Sequence, residues 1–220
     1  MFNVDRTPNA PPSLANHTSY SDEDVLYELR EIFYNKCYLC ESKEPADINV
    51  EHLVPHRNNP ELKFAWTNLF YCCSRCNNIK RDKYLNIVDC CDQTKDVASL
   101  IRTIPPRTPY QSHIEVSTNS PDPQIQETVL LLHEIYNSQK TINKSITGAH
   151  LRKRIFARYN RFIGLVTEYL DEELSQERRE EALERLKGTV SKTQEFSAFI
   201  RWLVIEDEIL NELLMEHVGQ

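Results

Sequence analysis

Two Cys-x-x-Cys pairs, Cys37/Cys40 and Cys73/Cys76, carry four of the seven cysteines in this chain of 220 residues. Two such knuckles complete the four-sulphur shell of a tetrahedral Zn²⁺. The sequence therefore predicts one structural zinc on Cys37, Cys40, Cys73 and Cys76. Cys72 is an alternative to Cys73, and the two-residue spacing to Cys76 favours Cys73. A shell of four thiolates leaves no open position, so this ion would hold structure and do no chemistry. Any catalytic metal would have to be a second ion with oxygen or nitrogen ligands. The insert between the knuckles, with Glu51 and His52, offers such ligands. Cys90 and Cys91 read as ordinary thiols.

The knuckles are 33 positions apart, from residue 40 to residue 73, so a further structural unit lies between them. Residues 48–54 are β-branched in character and end at Pro55, which suits a strand entering a turn. Residues 69–73 suit a second strand, and 77–83 a short helix. Neighbours in a strand face opposite sides, so Glu51 and His52 need a turn or bulge to act together. A hairpin followed by a helix, pinned by zinc, brings Glu51, His52 and Asn77 to one place.

The rest of the chain supplies the frame. Residues 1–20, with Pro8, Pro11 and Pro12, read as an extended arm. Ser21-Asp22-Glu23-Asp24 resembles a capping box and opens a helix. Five of the eleven prolines fall at Pro105, Pro106, Pro109, Pro121 and Pro123, marking 101–123 as a linker or wrapping segment. Helical periodicity then predicts helices near 124–140, 149–170, 173–187 and 194–217, with Gly188 as a C-cap. The expected organisation is an arm (1–20), a zinc-pinned core (21–100), a linker (101–123) and a helical region (124–220). The fold class is α+β, predominantly α.

Net charge is −7. An acidic chain contacts phosphate only through a local basic patch or with a partner's help. Arg75, Lys80, Arg81 and Lys83 form one such cluster beside the candidate site. A second basic stretch lacks acidic residues between Glu134 and Glu168; it holds Lys140, Lys144, Arg152, Lys153, Arg154, Arg158 and Arg161. It reads equally as a phosphate-tracking face or as a helix face paired with the acidic 168–184 stretch. No run of about 20 apolar residues exists to span a membrane. The N-terminus lacks a basic region followed by an apolar core, so the expected location is cytoplasmic.

Glu51-His52-Leu53-Val54-Pro55, then Asn68-Leu69, then Cys73-x-x-Cys76-Asn77-x-x-Lys80, framed by Cys37-x-x-Cys40, resembles the HNH (ββα-metal) endonuclease family. The resemblance covers residues 37–80, about a fifth of the chain. It implies His52 as general base, Glu51 and Asn77 as ligands of a catalytic Mg²⁺ or Mn²⁺, and Asn68 as the residue orienting the histidine and its loop. The implied reaction is phosphodiester hydrolysis, with DNA a better candidate than RNA. One departure is visible: many members carry glycines soon after the proline, whereas Pro55-His56-Arg57-Asn58-Asn59-Pro60 has none.

A narrower similarity runs through Arg6-Thr-Pro-Asn-Ala-Pro-Pro-Ser-Leu14, Lys36-Cys37-Tyr-Leu-Cys40-Glu41, Val50-Glu51-His52, Trp66-x-Asn68-Leu69 and the helical tail. These are similar to the HNH subunits of Septu anti-phage systems, related to nucleases that accompany some retrons. That similarity implies a PtuA-like ATPase partner. The arm prolines and the C-terminal apolar stripe would be docking elements. The other readings are a stand-alone HNH nuclease of restriction, homing or toxin type, and a zinc-stabilised binding module without catalysis.

Overall fold

A computed structural model describes residues 1–139 and 147–218. The architecture is α+β, about half helical, with two small antiparallel sheets. Strand β1 (Ile48–His52) pairs with β2 (Leu69–Cys73), so that Glu51 lies opposite Phe70 and His52 opposite Leu69. Helix α1 (Glu23–Ile32) precedes this hairpin, and the short α2 (Pro60–Lys63) lies within its connection. Helix α3 (Ser74–Lys80) leaves β2 directly. It starts three residues before the expected 77, because Cys73 is its N-cap, with its sulphur 3.5 Å from the Cys76 N–H.

Helix α4 (Val97–Leu100) leads into β3 (Arg102–Thr103), which pairs with β4 (Val116–Ser117). The proline-rich 101–123 stretch thus wraps rather than trails. Its Ile114 exchanges hydrogen bonds with the Asn137 amide at 2.7 and 2.9 Å, fixing it to α5 (Pro123–Asn137). Then come α6 (Gly148–Leu170), α7 (Gln176–Thr189), α8 (Ser197–Glu206) and α9 (Glu208–Leu214).

Three local expectations are corrected. The expected 194–217 helix breaks at Asp207, whose carboxylate accepts from the Leu210 N–H at 2.9 Å and so starts a new helix. Gly188 lies inside α7 rather than capping it. The Ser21–Asp24 capping box does not form: Asp22 makes no side-chain cap bond, and Asp24 accepts from Ser13 N (3.1 Å) and Oγ (2.6 Å).

That last contact belongs to a wider pattern, in which the N-terminal arm is stitched to the core. Met1, Phe2, Val4 and Leu14 are buried in the same cluster as Phe33, Tyr38 and Phe70. The Arg6 guanidinium donates to Trp66 O (2.9 Å) and Leu69 O (2.8 Å) and lies 4.8 Å from the Phe70 ring centroid. Trp66 donates back to Thr7 O at 3.0 Å. A second apolar cluster, including Phe162, Leu186, Ile200, Val204 and Leu214, unites α6 to α9. The C-terminal stripe expected as a docking element is largely consumed there and in the first cluster, which takes Phe196 and Phe199.

A buried polar cluster bridges the first knuckle and α8. Lys36 donates to Lys192 O (2.7 Å), Gln194 O (2.9 Å) and Ser197 Oγ (3.1 Å), and pairs with Glu41 at 3.4 Å. Glu41 also accepts from Ser197 Oγ (2.8 Å) and pairs with the Met1 ammonium at 3.1 Å. A buried carboxylate survives only when paired this fully.

Candidate active site and metal centre

The Cys37, Cys40, Cys73 and Cys76 sulphurs all lie within 4.8 Å of one another, and all four residues are buried. Zinc–sulphur bonds of about 2.3 Å in a tetrahedron imply sulphurs about 3.8 Å apart. Cys40 and Cys73 are 3.9 Å apart. Burial opposes ionising Cys37, yet hydrogen bonds from the neighbouring thiols hold it well below the ordinary thiol range, while Cys76 is pushed well up by burial. The donor set fits, and the cluster can hold a metal such as zinc. Cys72 approaches Cys37 to 3.9 Å but lies outside the four, with its own thiol donating to Cys73 O at 3.4 Å.

This frame sets the end of β1. Glu51 and His52 are only 7% and 8% exposed, yet both line an open pocket of about 310 Å³ with Pro55, His56, Arg57, Asn58 and Arg81. The alternation of the strand is therefore resolved at its end, where the chain turns at Pro55. His52 Nε2 lies 2.9 Å from Lys63 O. A carbonyl only accepts, so Nε2 carries the proton and Nδ1 is the ring's free base. Burial pushes the His52 pKa down from its ordinary value, keeping the ring neutral near pH 7.

Asn68 fastens the loop that supplies this carbonyl. Its Oδ1 accepts from Val54 N at 2.8 Å, and its Nδ2 donates to Val54 O (2.9 Å) and Leu62 O (3.0 Å). Tyr20, from the N-terminal arm, packs edge-on to the His52 ring at 4.7 Å, and His17 stacks on Phe64 at 4.8 Å. Tyr20 carries no local sequence signal for this role, because its contact depends on how the arm folds back.

Lys80 is fully buried and donates to Glu51 Oε1 at 2.7 Å and to His52 O at 2.9 Å. Burial pushes the Glu51 pKa up, and the Lys80 ammonium works against that rise. Among the described residues, Glu51 joins no cluster of three His, Cys, Asp or Glu ligand atoms. Asn77 is half-buried and does not line the pocket, and its amide has no hydrogen-bond partner among the described residues. The pocket thus brings Glu51 and His52 together and does not include Asn77, whereas the sequence expectation placed all three in one site.

The four basic residues expected to touch phosphate divide evenly. Arg75 is buried and donates to Ile135 O (2.8 Å) and Ser138 O (3.2 Å), and Lys80 is the internal cation just described. Arg81 and Lys83 are exposed; Arg81 lines the pocket, while Lys83 pairs with Glu134. On α6, Arg154 pairs with Glu195, and Arg158 donates to Thr189 O at 2.9 Å. These arginines fasten α6 to the 189–195 segment rather than to the acidic 168–184 stretch. Lys140 and Lys144 lie outside the described residues.

The chain is distantly similar to Septu protein PtuB. That protein, from Bacillus thuringiensis, is 31% identical over 91 residues, covering 34% of this chain and 35% of the relative. The chain spans about a third of the length of the curated relative it matches. No family model matches the chain, and no solved structure matches it. Among the described residues, no helix is long and apolar enough to cross a membrane.

Proposed function

We propose that this chain is a divalent-metal-dependent HNH endonuclease that serves an anti-phage defence complex of the Septu type. The observation that carries the reading is His52. It is a buried, neutral imidazole at a strand end, held by Lys63 O through Nε2, in the same pocket as Glu51 and on the hairpin whose second strand ends at the four-cysteine cluster. The similarity to Septu protein PtuB supports the defence role. In this reading, residues 21–100 are the nuclease core, with the arm of 1–20 laid on it. Residues 101–123 connect that core to the helical region of 124–220. An ATPase partner controls the nuclease, and the substrate is nucleic acid, DNA before RNA.

His52 Nδ1 takes a proton from water, and the resulting hydroxide attacks phosphorus. The P–O ester bond breaks, its electron pair leaves with the departing oxygen, and that oxygen takes a proton from solvent. Glu51 and Asn77 would hold Mg²⁺ or Mn²⁺, which supplies charge stabilisation for the phosphoryl and leaving oxygens. Asn68 keeps the loop in place so that Lys63 O continues to orient the imidazole.

The test is plasmid cleavage with Mg²⁺, Mn²⁺ or EDTA, comparing wild type with His52→Ala, both verified as folded and zinc-loaded. Metal-dependent nicking that the variant loses supports the nuclease. Equal nicking by both proteins, or none by wild type with its co-purified partner, rejects it.

A further inference from the structure

Two arginines line the candidate pocket in backbone conformations that arginine rarely adopts. Residues 56–59 form a tight turn closed by Asn59 N to His56 O at 2.7 Å, and its central residues, Arg57 and Asn58, have φ of 46° and 66°. Glycine and asparagine are the ordinary residues for such a turn; arginine is not. On the other side, Arg81 ends α3 at φ 40° and ψ −131°, where glycine is the ordinary choice. Both side chains are exposed. Arg81 is held by one hydrogen bond to Asn78 Oδ1 at 2.9 Å, and Arg57 has no side-chain partner among the described residues. The only acidic residue lining the pocket is Glu51, already paired with Lys80, so the rim is net positive. Strain kept where glycine would relieve it points to a use for the side chain.

We propose that Arg57 and Arg81 form a clamp for backbone phosphates of nucleic acid flanking the bond at His52. The glycine-free turn is the device that aims Arg57. This assignment rests on the nuclease reading and names the contacts by which that site takes its substrate. Guanidinium groups suit phosphate because their planar donors bind two oxygens at once.

The experiment uses the full chain carrying His52→Ala, so that binding is read without cleavage. Fluorescence anisotropy follows a labelled oligonucleotide, single- and double-stranded, across roughly 50 to 200 mM salt. We expect Arg57→Ala and Arg57→Gly each to weaken binding about tenfold and to flatten the log K against log salt slope by about one unit. Arg57→Lys should keep the slope and part of the affinity. Arg57→Gly should also melt no earlier than its parent, separating the loss of a contact from a loss of fold. Unchanged affinity and slope in Arg57→Gly would overturn the clamp. So would absence of binding by the parent, or tighter binding of a polyglutamate peptide, which would indicate an acidic protein partner. Arg57→Ala made in the His52 protein and cleaving at the parental kcat/KM would remove the clamp and leave the nuclease reading standing. Intact Arg57-dependent binding without any metal-dependent cleavage would do the reverse.

Discussion

Lys80 Nζ lies 2.7 Å from Glu51 Oε1 and 2.9 Å from the carbonyl of His52, so one buried ammonium joins the two neighbouring residues that matter most at the candidate site. Lys80 stands three residues beyond Asn77 on the same short helix. The hairpin and α3 are thereby locked by charge as well as by the cysteine cluster.

Removing the ammonium alone should be costly, because Glu51 stays behind in a site that is only 7% exposed. Lys80→Met is expected to destabilise the protein by roughly 3–5 kcal/mol. Combining it with Glu51→Leu should recover most of that loss, since no unpaired charge remains. Urea unfolding of the two single variants and the double variant measures this directly. A double variant no more stable than Lys80→Met would count against the ion pair.

The cysteine assignments separate by zinc content. Cys37→Ser, Cys40→Ser, Cys73→Ser and Cys76→Ser should each lose the ion and much of the folded signal, because binding at such sites contributes roughly 10–16 kcal/mol. Cys72→Ser and Cys90→Ser should keep zinc at one equivalent. Mass spectrometry of the purified proteins, with circular dichroism alongside, reads both. Zinc lost from Cys72→Ser but kept by Cys73→Ser would exchange their roles.

Acid should weaken the contact between the first knuckle and α8. Burial works against ionising Glu41, but the Met1 and Lys36 ammonium groups override it and hold the carboxyl down to about 2, from 4.5. A depressed folded-state pKa gives stability that is present above pH 4.5 and lost as the pH falls toward 2. The loss should be on the order of 3 kcal/mol. Stability curves from pH 6 down to about 2 should show that slope in wild type, and Glu41→Gln should lack it. An identical slope in both proteins would assign the acid sensitivity to other carboxylates.

The hairpin was legible in the sequence because its signals are local. A β-branched run ending at Pro55 and a second run ending at the knuckle mark β1 and β2 to within two residues. The cysteine shell was legible from spacing alone. What was not legible depends on contacts distant in sequence. Arg75 and Lys80 look like surface cations until α5 and Glu51 close over them. The arm looks extended and free until Arg6 reaches Trp66 and Leu69. Asp207 is the exception: its signal is local, but the apolar stripe running through it hid a cap that divides the last helix.

Glycine positions give a prediction with opposite signs in one chain. A Cβ added to Gly148 would lie 2.7 Å from Ser138 O and 2.8 Å from Tyr136 O, both backbone atoms at the end of α5. Neither carbonyl can yield easily: Tyr136 O accepts from Arg152 Nη1 at 2.9 Å, and Ser138 O from Arg75 Nη2 at 3.2 Å. Gly148→Ala should therefore destabilise by roughly 1–3 kcal/mol, as overpacking does. A Cβ at Gly164 or Gly188 meets nothing within 4 Å, and both residues lie inside helices. Gly164→Ala and Gly188→Ala should each stabilise by roughly 0.5–1 kcal/mol through helix propensity. Thermal melts of the three variants decide it, and a Gly148→Ala protein as stable as wild type would show that α5 and α6 do not meet this closely.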